Sequence, residues 1–169
     1  MRSCPAPPVP ACPRARVAAL REAVQADIGF HAHNLGVAVG NALAAVENGA
    51  TYIDGSLRGL GASAGNAQTE ALAAALERAG HSPGVDVLAL IEVAERLIAP
   101  LMTEPQIVDE TALLLGYAGL YSTFFHPAKR AADKYGVPVR EILLELGRRE
   151  VIGGQEDMIT DMEDWNRQA

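Results

Sequence analysis

Two histidines separated by one residue form the clearest candidate metal site in the sequence. His31 and His33 stand in the segment FHAHN, at the end of residues 27–31, which are predicted to form a short strand. In an extended chain the side chains at i and i+2 point to the same face, so both imidazoles can reach one ion. The carboxyl end of a parallel strand is where active sites commonly lie, and this position favours a metal site here. The alternative is that one histidine caps the following helix and the other is solvated.

A second group of polar side chains follows the next predicted strand. Asp54 and Ser56 come at its end, and Asn66 lies in the glycine-rich loop after it. Because a catalytic metal normally has at least three protein ligands, these residues are candidates to complete the histidine pair. The loop glycines would also let backbone N–H groups approach a carboxylate or phosphate. Alternatively the loop is flexible and Asn66 only caps the next helix; the spacing leaves both interpretations open.

Other polar residues have ordinary structural explanations. Tyr117 and Tyr121 are four residues apart, which places them on one helical face, an arrangement typical of packing. Glu70, Glu156 and Asp157 fit the first turns of helices, where the helix dipole favours acidic side chains. None of these residues predicts catalysis on its own.

Hydrophobic periodicity predicts the elements that must position these residues. Helices over 14–25, 37–48 and 67–79 alternate with strands over 27–31 and 51–54, a rhythm that indicates parallel βα units. After residue 84 only helices are predicted. Asp86 is expected to cap a helix that runs to about 99, and Asp109 a helix that ends near 116–119. Further helices are predicted over 122–135, 139–148 and 153–165. We therefore expect an α/β part at 14–84 and an all-helical part at 85–169.

Residues 1–13 differ abruptly from the rest of the chain. They hold half of its 10 prolines, which favour polyproline II or disorder, so we expect a tail outside the fold. Both cysteines, Cys4 and Cys12, lie in this tail. Their spacing matches no zinc site, and reduced thiols are expected.

Composition excludes several classes of function. The 169 residues are 49% hydrophobic and 21% charged, which is typical of a globular core and not of disorder. The net charge of −7 without a basic cluster argues against a nucleic-acid partner. No apolar run reaches the roughly 20 residues of a membrane helix, and no secretory signal is evident, so we expect a cytoplasmic protein. The length is also too short for a complete (β/α)₈ barrel of roughly 250 residues.

Several segments together resemble one enzyme family. Residues 29–70, from GFHAHNLG to NAQTE, are similar to the last third of the barrel in metal-dependent 4-hydroxy-2-oxovalerate aldolases, relatives of hydroxymethylglutaryl-CoA lyase. LGYAGLYSTFF at 115–125, YGVPVREILLELGRR at 135–149 and GGQEDMI at 153–159 resemble the helical C-terminal domain of these aldolases. The expected fold is therefore α/β, the C-terminal part of a (β/α)₈ barrel followed by an all-helical domain.

The resemblance implies a carbon–carbon lyase with a divalent metal, usually Mn²⁺. The metal would chelate a 2-oxo acid and stabilise the pyruvate enolate left when the bond breaks, releasing a short aldehyde. His31 and His33 match the two histidine ligands of the family, and Tyr121 matches a tyrosine that acts near the substrate hydroxyl. Asn66 matches a loop asparagine that is a ligand in the lyase branch, or that supports the ligands from behind. The family acts with an acylating acetaldehyde dehydrogenase in aromatic hydrocarbon catabolism, and the helical domain contributes to that contact.

The sequence also departs from the family pattern. An aspartate ligand on the first barrel strand, and the arginine and histidine base near it, have no counterpart here. HAHNLG is one residue shorter than the usual family segment, and Pro127 begins a Pro-Ala-Lys segment where relatives carry a histidine followed by Ala-Glu. Two hypotheses follow: a truncated aldolase with an incomplete site in these residues, or a non-enzymatic interaction module that docks a partner or forms a homodimer.

Overall fold

The computed structural model of the chain describes residues 13–32 and 35–159. Within them the chain forms two units, which meet in the sequence between Val108 and Asp109. The predicted change of architecture at 84/85 concerns the order of elements, and only helical elements follow Arg78 in the described residues. Residues after 84 contact the first unit, where Glu95 forms an ion pair with Arg58.

The first unit alternates helices and strands as predicted. Its elements in chain order are α1 (Pro13–Ala23), β1 (Gly29–Phe30), α2 (Ala38–Glu47), β2 (Tyr52–Ile53), α3 (Thr69–Arg78) and α4 (Val87–Val93). α4 continues directly into a π-helical turn at Ala94–Ile98 and a 3₁₀ turn at Ala99–Leu101, so the helical stretch predicted over 86–99 is present but is not α-helical throughout. Pro13, predicted to end the tail, is instead the first residue of α1, where its missing N–H has no helical partner to lose.

The two strands pair in parallel, with Gly29 opposite Tyr52 and Phe30 opposite Ile53. Both strands are shorter than predicted. A residue belongs to a strand only where its backbone pairs with a neighbouring strand, and within the described residues each of these strands has a single partner. α2 packs beside them on small side chains, with Ala42 and Ala45 fully buried. This parallel pairing brings the residues that follow both strands to one edge of the sheet.

The second unit is helical throughout its described part. It contains α5 (Glu110–Ala118), a 3₁₀ turn at Ser122–Phe124, α6 (Phe125–Tyr135) and α7 (Val139–Arg148), and a further 3₁₀ turn covers 156–159. Phe124, Leu143 and Leu146 are fully buried at its centre. At Gly147 a Cβ would stand 2.3 Å from the carbonyl oxygen of Ala118, so the glycine lets α7 approach the end of α5 closely.

Helix starts follow the predicted caps. Asp86 accepts a hydrogen bond from the N–H of Ala89 at 3.0 Å, and Asp109 accepts one from Ala112 at 2.7 Å. Both capping predictions are confirmed. The predicted helix over 153–165 is only a short 3₁₀ turn up to residue 159, and its remainder lies outside the described residues, as do residues 1–12 with Cys4 and Cys12.

No helix in the described part of the chain has the length and apolar character needed to cross a bilayer.

Candidate functional site at the ends of the parallel strands

His31 and Asp54 meet at the carboxyl ends of the two strands. His31 follows β1 directly and Asp54 follows β2, and the parallel register places them side by side. Nδ1 of His31 donates a hydrogen bond to Oδ1 of Asp54 over 2.6 Å. With the proton on Nδ1, the ring nitrogen that can face a metal ion is Nε2, and the carboxylate fixes the orientation of the ring. This is the arrangement in which histidines commonly bind metal ions.

The structure describes only one of the two histidines predicted to bind the metal. His33, the second predicted ligand, lies outside the described residues. Among residues 13–32 and 35–159, no three His, Cys, Asp or Glu side chains are grouped closely enough to hold a metal ion. The donors at hand fit one oriented imidazole ligand with its supporting carboxylate, and further ligands must come from elsewhere.

In the glycine-rich loop, both candidate side chains, Ser56 and Asn66, donate hydrogen bonds to the same backbone carbonyl. The hydroxyl of Ser56 donates to the carbonyl oxygen of Leu60 at 2.7 Å, and Nδ2 of Asn66 donates to the same oxygen at 3.1 Å. Asn66 does not cap α3: the N-cap position belongs to Gln68, which makes no side-chain capping bond. The capping interpretation of Asn66 is therefore wrong, and its amide nitrogen is used to close the loop.

Close packing inside the loop explains its glycines. At Gly61 a Cβ would lie 2.8 Å from Nδ2 of Asn66, and at Gly65, where φ is +85°, it would lie 2.3 Å from the carbonyl oxygen of Gly59. The backbone N–H of Asn66 donates to that same Gly59 carbonyl at 2.9 Å. The loop is thus folded tightly on itself.

Glu70 has a role that sequence reasoning missed. Its two carboxylate oxygens accept from the backbone N–H of Arg58 at 3.0 and 3.1 Å. Arg58 has a φ of +56°, a left-handed conformation that is uncommon for a non-glycine residue. Its guanidinium also pairs with Glu95 in the π-helical turn. The sequence feature that could have predicted this role is an acidic residue in the first turn of a helix that follows a loop with many backbone N–H donors.

Tyr121 belongs to the second unit and does not share a helix with Tyr117. α5 ends at Ala118 because Gly119 adopts a left-handed conformation with φ +72°. Tyr121 then occupies the N-cap position of the 3₁₀ turn at Ser122–Phe124. Both tyrosines are more than half exposed, at 57% and 59%, so the packing interpretation of this pair is wrong.

Comparison with protein families decides the relationship. Residues 9–97, more than half of the chain, match the family described as HMGL-like. The chain belongs to the HMGL-like family. In addition, residues 106–163 match the DmpG-like communication domain. These two matches follow the α/β part and the helical part of this HMGL-like chain in order.

The curated relatives of this HMGL-like chain are longer proteins. It is 76% identical over 148 residues to 4-hydroxy-2-oxovalerate aldolase 2 of Rhodococcus opacus (strain B4), which covers 87% of this chain and 43% of the relative. It is 57% identical over 150 residues to 4-hydroxy-2-oxovalerate aldolase of Carboxydothermus hydrogenoformans, covering 88% of this chain and 45% of the relative. The chain therefore spans less than half the length of these relatives. The aldolase resemblance read from the sequence is confirmed.

Solved structures confirm the fold class. A variant of the carboxyl transferase domain of Rhizobium etli pyruvate carboxylase, solved with pyruvate, matches with a TM-score of 0.70 and 20% identity, over 92% of this chain and 30% of that chain. The same domain solved with oxamate and biotin matches with a TM-score of 0.68 and 20% identity, over 92% and 29%. At this identity the likeness concerns the fold alone, and it agrees with a partial barrel in an HMGL-like chain.

Proposed function

We propose that this chain carries part of the active site of a 4-hydroxy-2-oxovalerate aldolase. The enzyme would cleave a 4-hydroxy-2-oxo acid into pyruvate and a short aldehyde. The observation that carries the proposal is the hydrogen bond from His31 to Asp54 at the ends of two parallel strands. It orients an imidazole as a metal ligand at the edge of the sheet where α/β folds bind substrates. The similarity to curated aldolases supports the same reading.

The metal-binding residues of this proposal are His31, His33 and Asn66, with Mn²⁺ as the ion. Imidazole nitrogens together with an amide or carboxylate oxygen suit a divalent ion of this kind. When bound, the ion supplies Lewis-acid polarisation of the 2-oxo group of the substrate. Asp54 fixes the orientation of the His31 ring. The bond from Asn66 Nδ2 to Leu60 leaves its side-chain oxygen as the atom that could serve as a ligand.

Tyr121 is the proposed catalytic residue of the second unit. Its side chain is 59% exposed, and it stands at the start of a turn whose last residue, Phe124, is fully buried. The exposed phenol is thus held on a fixed piece of backbone. We assign its hydroxyl the task of exchanging a proton with the 4-hydroxyl of the substrate during cleavage.

The partner in this proposal is an acylating acetaldehyde dehydrogenase. The match of residues 106–163 to the DmpG-like communication domain supports the second unit as the contact region. An aldehyde product is the substrate class that such a dehydrogenase consumes, which gives the two proteins a reason to associate. We place the pair in the cytoplasm, in the catabolism of aromatic hydrocarbons.

A chimera tests the proposal without requiring the rest of the barrel from this chain. In the Rhodococcus opacus relative, the 148 matched residues are replaced by the corresponding segment of this chain. We expect the chimera, supplied with Mn²⁺, to release pyruvate from 4-hydroxy-2-oxovalerate. The His31→Ala variant of the chimera, which removes a proposed ligand, should bind the metal more weakly and lose activity.

Two results would contradict the aldolase proposal. One is a folded chimera that fails to cleave the substrate while the parent relative does so. The other is full activity in the His31→Ala variant. An inactive chimera that still binds the dehydrogenase would instead support the non-enzymatic interaction module.

A further inference from the structure

A side chain from far along the sequence closes the glycine-rich loop. Gln106 lies between the 3₁₀ turn at Ala99–Leu101 and α5, in a segment without helix or strand. Its Nε2 donates to the carbonyl oxygen of Ser63 at 2.8 Å, and its Oε1 accepts from the N–H of Gly61 at 3.4 Å. One half-buried amide thus bridges two loop residues that lie 43 and 45 positions away in the sequence.

The shorter of the two bonds fixes which way the amide of Gln106 faces. A carbonyl oxygen can only accept, so the atom that meets the Ser63 carbonyl at 2.8 Å must be the nitrogen. The amide oxygen is then the atom that meets the N–H of Gly61. The bridge therefore needs a donor and an acceptor together at the end of one side chain, which glutamine offers and glutamate or methionine does not.

The bond to Gly61 acts on the peptide group that also holds Asn66. The N–H of Gly61 and the carbonyl of Leu60 belong to the same peptide group. On the carbonyl side, the oxygen of Leu60 accepts from Asn66 Nδ2 at 3.1 Å and from the hydroxyl of Ser56 at 2.7 Å. A planar trans peptide group points its N–H and its C=O in opposite directions. Gln106 therefore holds from one side the peptide group that Asn66 bonds from the other.

The second end of the bridge lies at an unusual backbone position. Ser63 has a φ of +57°, a left-handed conformation that is uncommon for a non-glycine residue. It lies in a turn that the N–H of Gly65 closes onto the carbonyl of Ala62 at 3.0 Å. Its own hydroxyl is buried and has no hydrogen-bond partner in the part of the chain that the structure describes. Gln106 therefore stabilises a turn that its own residue types do not favour.

We propose that Gln106 is a positioning residue for Asn66: by holding the loop at two points, it keeps the side-chain oxygen of Asn66 in one place. The consequence for metal binding rests on the proposed function, in which Asn66 is a ligand. Gln106 acts through the loop, and Asn66 is the residue that would contact the ion. Loss of a supporting partner behind a ligand lowers metal affinity by on the order of tenfold or more.

NMR of the full chain without metal tests the link independently of activity. Asparagine is labelled with ¹⁵N, and Asn66→Asp, which removes the amide, assigns the side-chain resonances of position 66. Gln106→Met keeps an unbranched side chain and loses both bonds. We expect it to shift the Asn66 side-chain resonances, to speed their exchange with solvent and to leave those of the other asparagines unchanged.

Gln155→Met is the matched control. Gln155 also bonds a backbone group with its side chain, accepting from the N–H of Ile152 at 3.0 Å, but it belongs to the second unit. This variant should leave the Asn66 resonances where they are. Asn66 resonances that are unchanged in Gln106→Met, or that shift equally in both variants, would overturn the proposal.

A milder variant decides if Gln106→Met does not fold. Gln106→Glu keeps the side-chain length and the acceptor that faces Gly61, and loses only the donor to Ser63. It should shift the Asn66 resonances in the same direction, and unchanged resonances would again overturn the proposal.

The chimera tests the consequence for the metal site. Gln106→Met should weaken the affinity for Mn²⁺ by on the order of tenfold, and Gln155→Met should leave it unchanged. Unchanged affinity in Gln106→Met, in a chimera whose Asn66→Ala variant binds Mn²⁺ weakly, would overturn the positioning role. Should Asn66→Ala itself leave the affinity unchanged, Asn66 fails as a ligand of the proposed function, while the amide spectra still decide whether Gln106 positions its side chain.

Discussion

Nδ1 of His31 and Oδ1 of Asp54 are 2.6 Å apart, and the two residues follow two parallel strands that are joined by a helix. Their separation in the sequence is bridged only because the strands pair in register, Phe30 beside Ile53. The imidazole is thereby fixed from behind by a carboxylate. This relationship gives Asp54 a supporting role in the proposed metal site, behind the histidine that it orients.

Replacing Asp54 with asparagine should weaken metal binding without disturbing the fold. Loss of the carboxylate behind a histidine ligand reduces metal affinity by on the order of 10–100-fold. Calorimetric titration of the chimera with Mn²⁺ measures this. Asp27→Asn is the matched control, because Asp27 bonds Thr51 at 3.2 Å at the opposite ends of the same strands. Equal affinity losses in both variants would show that Asp54 acts through net charge or folding alone.

Removing the Glu70 carboxylate should destabilise the first unit. Its two oxygens bond the N–H of Arg58 in a left-handed conformation, and bonds to charged acceptors contribute about 1.5–3 kcal/mol. We expect Glu70→Ala to lower the free energy of urea unfolding by that amount. Glu77→Ala, on the same helix and exposed, should change it by less than about 0.5 kcal/mol. If the unfolding curves of the two variants could not be distinguished, Glu70 would not stabilise the loop as described.

Alanine at Gly65 should be far more harmful than alanine at Gly80. The φ angles are nearly the same, +85° and +87°, so the cost of the left-handed backbone, about 1–2 kcal/mol, is shared. Only Gly65 has close neighbours: a Cβ there would stand 2.2 Å from Cγ of Gln106, whereas nothing lies within 4 Å at Gly80. Thermal unfolding of both variants measures the difference. Similar losses of stability would mean that the loop is not packed as described.

The sequence predicts those features of this fold that depend on local chemistry. The capping bonds of Asp86 and Asp109 reach three residues ahead, so the residue types at those positions are sufficient to predict them. The alternation of helices and strands follows from hydrophobic periodicity in the same way. The histidine pair is predicted from its spacing, a local signal of the same kind, and it stays a prediction.

Features that depend on distant partners were missed. The bond from Arg58 to Glu70 spans a loop whose left-handed turn no local rule specifies. The spacing of Tyr117 and Tyr121 indicates one helical face, whereas Gly119 ends α5 between them. Asn66 was considered as a cap, whereas a fold-back of the loop claims its side chain. In each case the outcome depends on the conformation of a backbone segment that tertiary packing determines.

The central claim is that these residues supply metal ligands to an aldolase site. The most direct test is the exchange of the pyruvate methyl protons with deuterated buffer, followed by proton NMR in the chimera with and without Mn²⁺. We predict exchange that requires the metal and is abolished in the His31→Ala and His33→Ala variants. Metal-dependent exchange that persists in both histidine variants, or a folded chimera that binds Mn²⁺ and exchanges no protons, would contradict the claim.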